Sequence, residues 1–385
     1  MAADAGRSRV RTLALLHPAF SLTGALHVIS GPLLPSLAST FHLNDSQSGL
    51  LLLLYFAGSS IGALLCTGHF ARRVAYGFVV AAAACACIAF ARGPLLLPVF
   101  LFLGVGVGSS MSAVNLFVGR EFPQRPAPVL VFLNFSWSAG ALLAPLFAAR
   151  VLSLHSFRTA YAVLAVVAAL AAVVCGIFLR DGPQSVRQEE APPVRSNLRV
   201  IAIFGLAVFL QVGIENSAAA WLTTYILRIA HSSVPLAARL SAIYWIGVLC
   251  SRAFAALVLL RVNSSSILRA AIPLALASAL LLAAVPTVSV CSLSMLLLGI
   301  ATAPVYPLLV AASFGRVHQI SDTRWILAAA GFGGSVLPWL TGWLSAHFGS
   351  LRIGILTLPA ALLAMILLLP FLFPGVKGKA SERAS

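Results

Sequence analysis

The chain is built from long apolar segments that alternate with short polar loops. Twelve of these segments are long enough to cross a hydrocarbon core of about 30 Å as helices. They are continuously apolar and show no alternation with a period of two, which excludes the strands of a membrane barrel. The segments are 13–39, 47–70, 75–92, 95–119, 127–150, 157–180, 198–227, 234–260, 267–286, 289–315, 325–347 and 352–374. The pattern predicts an all-α polytopic membrane protein with twelve transmembrane helices.

Composition supports a lipid environment. Of the 385 residues, 60% are apolar and 9% are charged, whereas soluble proteins average about 45–50% and about 25%. A soluble enzyme is thereby excluded. No phosphate-binding loop, nucleophile elbow, zinc helix or dinucleotide fingerprint is present, and the cysteines and histidines lack metal-ligand spacing. We therefore expect a protein that is not an enzyme and that uses no cofactor or metal.

The basic residues indicate topology rather than a nucleic-acid partner. The net charge is +16, but the 25 basic residues are scattered over short loops. If the N-terminus is cytoplasmic, 18 of them fall on the cytoplasmic side, 6 on the other side, and Arg252 inside a span. Such asymmetry is typical of the positive-inside rule. We expect a monomer in the cell inner membrane, with both termini in the cytoplasm and no nucleic-acid binding.

One polar stretch divides the chain. Residues 181–197 contain three prolines and three acids and have no apolar face, which is typical of a linker. The sequence therefore predicts an N-terminal six-helix half over 1–180, a cytoplasmic linker over 181–197, and a C-terminal six-helix half over 198–385.

The two halves repeat one another. Tyr55-Phe-Ala-Gly58 returns 189 residues later as Tyr244-Trp-Ile-Gly247. The small-residue stripe that begins at Gly104 returns 195 residues later at Gly299. Matches in register and in helix order predict pseudo-symmetric halves, and such repeats place a solute site between the halves near the bilayer midplane.

Charged groups inside the spans are the main candidates for coupling. Glu215 is the only one of nine acids well within a span, where a charge costs about 2.5–3.5 kcal/mol on insertion scales. We expect it to contact the solute or carry a proton; a structural hydrogen bond is the alternative. Arg252 lies at a similar depth, which predicts a Glu215–Arg252 ion pair, unless Arg252 extends toward the cytoplasmic loop. His27 is a second proton-carrier candidate, with a structural hydrogen bond as its alternative.

Neutral amides and aromatic rings within the spans suit a sugar. A sugar offers hydroxyl groups at its rim and C–H groups on its faces. The alternative is that the amides join helices and the rings pack against helices or lipid. The candidate substrate-binding residues are Asn115, Asn134, Trp137, Gln211, Glu215, Asn216, Trp221, Tyr244, Tyr306 and Trp339.

The arrangement resembles the major facilitator superfamily over the whole chain. Twelve helices, a central cytoplasmic linker and internal termini are features of that fold. The loop Gly68-His-Phe-Ala-Arg-Arg-Val-Ala resembles the superfamily's loop motif, with Arg72 at the position of its aspartate. A gating latch built on that acid is therefore not implied here.

Three further motifs resemble the fucose–proton symporter branch, which carries fucose, glucose and galactose. They are Gln211-Val-Gly-Ile-Glu215 followed by Trp221-Leu, Tyr244-Trp-Ile-Gly247 followed by Ser251-Arg252, and Ala-Val-Asn115-Leu-Phe-Val. The chain departs from that branch at Gly31 and Met111, which align with its membrane-embedded carboxylates. The branch's coupling mechanism is therefore not carried over.

The sequence thus predicts a secondary active or facilitative transporter. It would move a small neutral solute, a sugar, by alternating access, with protons as candidate coupling ions. Two alternatives remain open: a proton-driven exporter of amphipathic or drug-like compounds, and a membrane receptor or scaffold that transports nothing.

Overall fold

The computed structural model describes residues 2–66, 68–91, 93, 95–121, 126–181, 198–229, 231–259, 261–285, 287–314, 316 and 320–373. These residues form fifteen helices and contain no strand. The helices are α1 Ala2–Val28, α2 Ser30–Phe41, α3 Asp45–Leu64, α4 Phe70–Phe90, α5 Leu96–Glu121, α6 Pro126–Leu152, α7 Phe157–Phe178, α8 Leu198–Ile229, α9 Val234–Leu259, α10 Ser264–Ala284, α11 Val288–Thr302, α12 Val305–Phe314, α13 Ile320–Phe348, α14 Leu351–Gly354 and α15 Thr357–Leu372.

The described helices supply twelve spans that are long and apolar enough to cross a membrane. Three of the spans are each made of two consecutive helices: α1 with α2, α11 with α12, and α14 with α15. Large apolar side chains on the outside support this assignment. On α7, for example, Val166, Leu170 and Phe178 are more than half exposed, which is favourable only against lipid. The predicted all-α fold with twelve transmembrane helices is confirmed.

One loop lies earlier than the sequence predicts. The predicted apolar segment 47–70 extends past the end of the helix, because α3 ends at Leu64 and α4 begins at Phe70. Gly68 has a positive φ of 75°, a conformation that glycine adopts without a Cβ penalty. The new helix is capped from a distance, because the Ala71 backbone N–H donates to Asp181 Oδ1 at 2.9 Å. The turn at Gly68 and this cap therefore set the boundary between α3 and α4.

The predicted repeat is visible as matched helix contacts. A Cβ on Gly104 of α5 would overlap the carbonyl oxygen of Tyr55 on α3, and a Cβ on Gly299 of α11 would overlap that of Tyr244 on α9. These pairs are related by the offsets of 195 and 189 residues read from the sequence. Small residues allow such close approach where no hydrophobic effect drives helices together.

A pair of arginines repeats in the same way. The Arg158 guanidinium donates to the Ala89 oxygen at 2.9 Å and to the Ala91 oxygen at 3.1 Å, beyond the last turn of α4. Arg352 donates through Nε to the Ala283 oxygen at 2.7 Å, at the end of α10. In each half, one arginine therefore satisfies the last carbonyl groups of a helix. The sequence analysis did not single out this pair.

The two halves are joined tightly at one end of the bundle. We call this the distal end; it holds the ends of α2 and α8 and the start of α3, and the linker end lies opposite. Arg228 Nη1 donates to Asp45 Oδ2 at 2.7 Å, and Ser345 Oγ donates to the same oxygen at 2.5 Å. Between this end and the middle of the bundle, a Cβ on Gly31 at the start of α2 would overlap the carbonyl oxygen of Ala219 on α8. In this conformation the distal end is closed.

The predicted boundaries of the two halves remain predictions. Asp181 is described, but the other residues of the predicted linker, 182–197, lie outside the described residues. The cytoplasmic location of both termini likewise stays a prediction.

Candidate functional site

A polar cluster lies in the middle of α8. Gln211 and Glu215 are four residues apart and therefore share one face of the helix. Gln211 Nε2 donates to Glu215 Oε1 at 2.8 Å and to the Thr302 carbonyl oxygen at 3.0 Å. That carbonyl accepts a side chain because α11 ends at Thr302 and α12 begins only at Val305, beyond Pro304. The helix break thus orients the amide that holds Glu215.

Two tyrosines surround this group. Tyr244 of α9 is fully buried, and its hydroxyl group lies 3.2 Å from Thr302 Oγ1. Tyr306 of α12 is half-buried. Both lie within electrostatic range of Glu215. The structure therefore brings together four of the candidate residues, Gln211, Glu215, Tyr244 and Tyr306, and adds Thr302, which the sequence analysis missed.

The predicted direct ion pair between Glu215 and Arg252 does not form among the described residues. Arg252 Nη1 donates to Ser138 Oγ of α6 at 2.7 Å. Its guanidinium lies over the Trp137 ring, 5.7 Å from the centroid, in cation–π geometry. These contacts direct the charge of Arg252 toward the other half, while Glu215 accepts from Gln211. Arg252 still acts on Glu215 electrostatically.

His27 and Asn216 form a further polar contact between the halves. His27 Nε2 lies 3.4 Å from Asn216 Oδ1, and Asn216 Nδ2 donates to the Gly334 oxygen at 3.2 Å. The two residues are 189 positions apart, the same offset that relates the two Tyr-containing motifs. They are therefore counterparts on the first helices of the two halves, and they meet near the pseudo-symmetry axis.

Aromatic rings line the space between these groups. Trp137 contacts Trp245 with centroids 5.8 Å apart and His27 at 5.5 Å. Tyr55 and Phe56 pack on the other sides of His27. Rings from both halves thus meet beside the polar cluster, and faces of this kind suit the C–H surface of a polar ring.

Three side-chain atoms in this region have no hydrogen-bond partner among the described residues. They are His27 Nδ1, Trp137 Nε1 and Gln211 Oε1, all of them buried. Trp137 Nε1 can only donate, Gln211 Oε1 can only accept, and His27 Nδ1 does either according to its tautomer. Unpaired buried polar groups are costly. A polar molecule that reached these atoms would complete their hydrogen bonds.

The remaining sequence-predicted residues lie elsewhere or bond locally. Trp221 is fully buried and donates to the Pro338 oxygen at 2.8 Å, so it joins α8 to α13. Trp339 packs its backbone against Gly49 near the distal end. Asn115 donates to the Met111 oxygen on its own helix at 3.0 Å, and Asn134 is exposed. For Trp221 and Trp339 the structure favours packing, because their contacts are made to neighbouring helices.

No group of three or more potential metal ligands occurs among the described residues. The described cysteines form no disulfide bond. The cluster combines one carboxyl group, that of Glu215, with the neutral amide of Gln211 and the hydroxyl group of Tyr244.

Comparison with known proteins adds a family assignment. The model of the Major Facilitator Superfamily matches residues 16–321. The glucose/galactose transporter of Brucella abortus biovar 1 (strain 9-941) is 25% identical over 366 residues, which cover 86% of this chain and 86% of that protein.

Solved structures with the same fold are more distant in sequence. A variant of the nucleoside transporter NupG superimposes with a TM-score of 0.76 at 15% identity, covering 94% of this chain and 99% of that one. A variant of the E. coli fucose:proton symporter FucP superimposes with a TM-score of 0.60 at 17% identity, covering 95% and 99%. Because these proteins carry different solutes, the structural likeness identifies the fold and leaves the solute open.

Proposed function

The chain belongs to the Major Facilitator Superfamily of membrane transporters, and we propose that it moves a small sugar-like molecule by alternating access with protons as the coupling ion. The observation that carries the choice of solute is that buried His27 Nδ1, Trp137 Nε1 and Gln211 Oε1 lack hydrogen-bond partners among the described residues, and that aromatic rings lie beside His27 and Trp137. Sugar hydroxyl groups both donate and accept, so one molecule could satisfy all three atoms. The similarity to a glucose/galactose transporter supports the same class.

Alternating access would occur around the contacts between the halves. His27 and Trp137 belong to one half, and Gln211, Glu215 and Arg252 to the other. A solute that contacts both sets would favour closure around itself, because binding shifts the equilibrium toward the state that it binds best. Arg252 links the site to this movement, since its bond to Ser138 crosses between the halves.

Glu215 is the proposed proton carrier. It is the only acid well within a span, and its described contacts are an amide donor and nearby tyrosines rather than a direct ion pair. A carboxyl group held in this way can exist in both protonation states, whereas a tight pair with arginine would favour the ionised state. His27 is the second candidate, because its ring joins the halves through Asn216.

We further propose that both termini and the linker 181–197 face the cytoplasm of a cell whose inner membrane holds the protein as a monomer. The support is the distribution of basic residues, 18 on one side against 6 on the other. In this orientation the closed distal end faces outward.

Alanine at Gln211, Asn115 or Asn134 is expected to weaken sugar binding to the purified transporter. Each loss of a neutral hydrogen bond should cost about 0.5–1.5 kcal/mol, or roughly 2- to 13-fold in dissociation constant. Gln211 should show the largest effect, because its Oε1 is buried without a partner. Binding is measured by scintillation proximity with labelled glucose, galactose and fucose.

Asn263→Ala is the matched control for these variants. Asn263 precedes α10 in an exposed loop, and its side chain makes no capping hydrogen bond. Its dissociation constant should equal that of the wild type. Unchanged affinity in all three site variants would refute the proposed neutral-sugar site.

A further inference from the structure

The arginines at the distal end fall into two groups. Three of those described there have structural partners: Arg158 and Arg352 bind the carbonyl groups at helix ends, and Arg228 pairs with Asp45. The other two, Arg150 and Arg239, form no hydrogen bond or ion pair through their side chains with any described residue. In the proposed orientation the distal end faces outward, and the positive-inside rule disfavours basic residues there. Two arginines at this end without a structural partner therefore suggest a different role.

Both of these arginines line a single cavity. It has a volume of about 440 Å³ and lies between the end of α6 and the start of α9. Arg150 comes from one half and Arg239 from the other, and Ser153 and Ser233 add hydroxyl groups. None of the described residues that line it is acidic. The cavity is separate from the cluster around Glu215, because it lies at the distal ends of its helices.

We propose that this cavity binds a phosphate group, which the two arginines hold between the two halves of the transporter. Guanidinium groups match phosphate oxygens in charge and in hydrogen-bond geometry. The Ser233 hydroxyl group has no intramolecular bond among the described contacts and supplies a further donor, while Ser153 Oγ already donates to the Arg150 carbonyl oxygen at 2.8 Å.

The position of the cavity fits a group at the membrane surface. Its apolar wall includes Leu146 and Leu236, and Leu143, one turn before Leu146, is 57% exposed. The phosphate of an anionic phospholipid could therefore enter from the bilayer with its acyl chains along this wall, as in the basic pockets between helices that bind lipid head groups. Free phosphate from solution has the same chemistry.

Occupancy would favour the closed distal end. Since each half provides one arginine, the phosphate is held from both sides only while α6 and α9 are together. The two arginines would repel each other without it, and an anion between them replaces that repulsion with two attractive contacts.

The test measures binding of phosphatidylglycerol to the full-length purified protein by native mass spectrometry, with phosphatidylcholine as the uncharged comparison. Arg150→Gln or Arg239→Gln should weaken phosphatidylglycerol binding roughly fivefold each, and the double variant about 25-fold. The matched control is the double variant Arg72→Gln/Arg261→Gln, which removes two exposed arginines at the linker end. The control should bind as the wild type does.

Competition with inorganic phosphate separates the two sources of the group. Displacement of the lipid by millimolar phosphate would identify a site for free phosphate, and resistance to it would identify a lipid head-group site; both support the proposal. In the wild type itself, raising the salt concentration from about 0.1 M to about 1 M should weaken binding. The proposal would be overturned if the Arg150→Gln/Arg239→Gln variant bound phosphatidylglycerol as tightly as the wild type does. It would also be overturned if the wild type showed no preference for phosphatidylglycerol over phosphatidylcholine and did not bind phosphate.

Discussion

Glu215→Gln is expected to abolish proton-driven accumulation of the solute while leaving exchange of solute across the membrane intact. Glutamine keeps the size of the side chain and can still accept the hydrogen bond from Gln211 Nε2, but it cannot gain and lose a proton. With one proton per solute, a gradient of one pH unit permits about tenfold accumulation. The variant should reach a ratio of about one, measured with labelled sugar in proteoliposomes.

Glu189→Gln is the matched control, because it makes the same chemical change in the predicted linker. It should accumulate solute as the wild type does. If Glu215→Gln still concentrates solute under a pH gradient, Glu215 is not the carrier. His27→Gln then becomes the next variant, since His27 is the other titratable group that joins the halves at this depth.

Gly31→Leu is expected to prevent closure of the distal end. In the closed conformation even a Cβ at this position would overlap the Ala219 carbonyl oxygen of the opposite half, so a larger residue fits only when the halves separate there. Overpacking costs about 1–3 kcal/mol, which would shift the equilibrium by roughly 5- to 150-fold. Spin labels at Thr40 and His231, both exposed near the distal end, should show a longer distance, and transport should nearly cease.

Gly205→Ala provides the control, because a Cβ there meets only the Ala329 Cβ at 3.6 Å, an ordinary contact. Asp45→Asn tests the same end without added volume, since it weakens the contacts with Arg228 and Ser345. It should lengthen the label distance in the same direction by a smaller amount. An unchanged distance in both Gly31→Leu and Asp45→Asn would show that these contacts do not hold the distal end closed.

Hydropathy alone predicted the twelve spans well, because a helix in lipid must be apolar over the thickness of the bilayer. It placed the end of the second span too late, because α3 ends at Leu64 and Gly68 turns the chain before α4 begins at Phe70. The repeat was also readable, since close helix contacts require small residues at fixed positions. Gly104 and Gly299 show this, because a Cβ on either glycine would overlap a tyrosine carbonyl oxygen on the helix packed against it.

The partners of the candidate site were harder to predict. Gln211, Glu215, Tyr244 and Tyr306 could be named because polar groups are rare within spans. The partner of Arg252 could not be named in the same way, because Ser138 belongs to the other half. A single serine in a membrane helix does not indicate from the sequence which side chain it will bind. Likewise, the Thr302 carbonyl accepts from Gln211 only because the helix breaks there. Pro304 was a visible sign of that break, but the sequence did not indicate which side chain would use it.

The most direct test of the account is uptake of labelled glucose, galactose and fucose into proteoliposomes that contain only this protein, with and without a pH gradient. The account predicts that at least one of these sugars accumulates above its external concentration when the gradient is present. It also predicts that a protonophore reduces the ratio to about one, the equilibrium value. Equal, gradient-independent equilibration would show a facilitator without proton coupling. If none of the three sugars is taken up by protein that is correctly folded, the proposed sugar transport is contradicted.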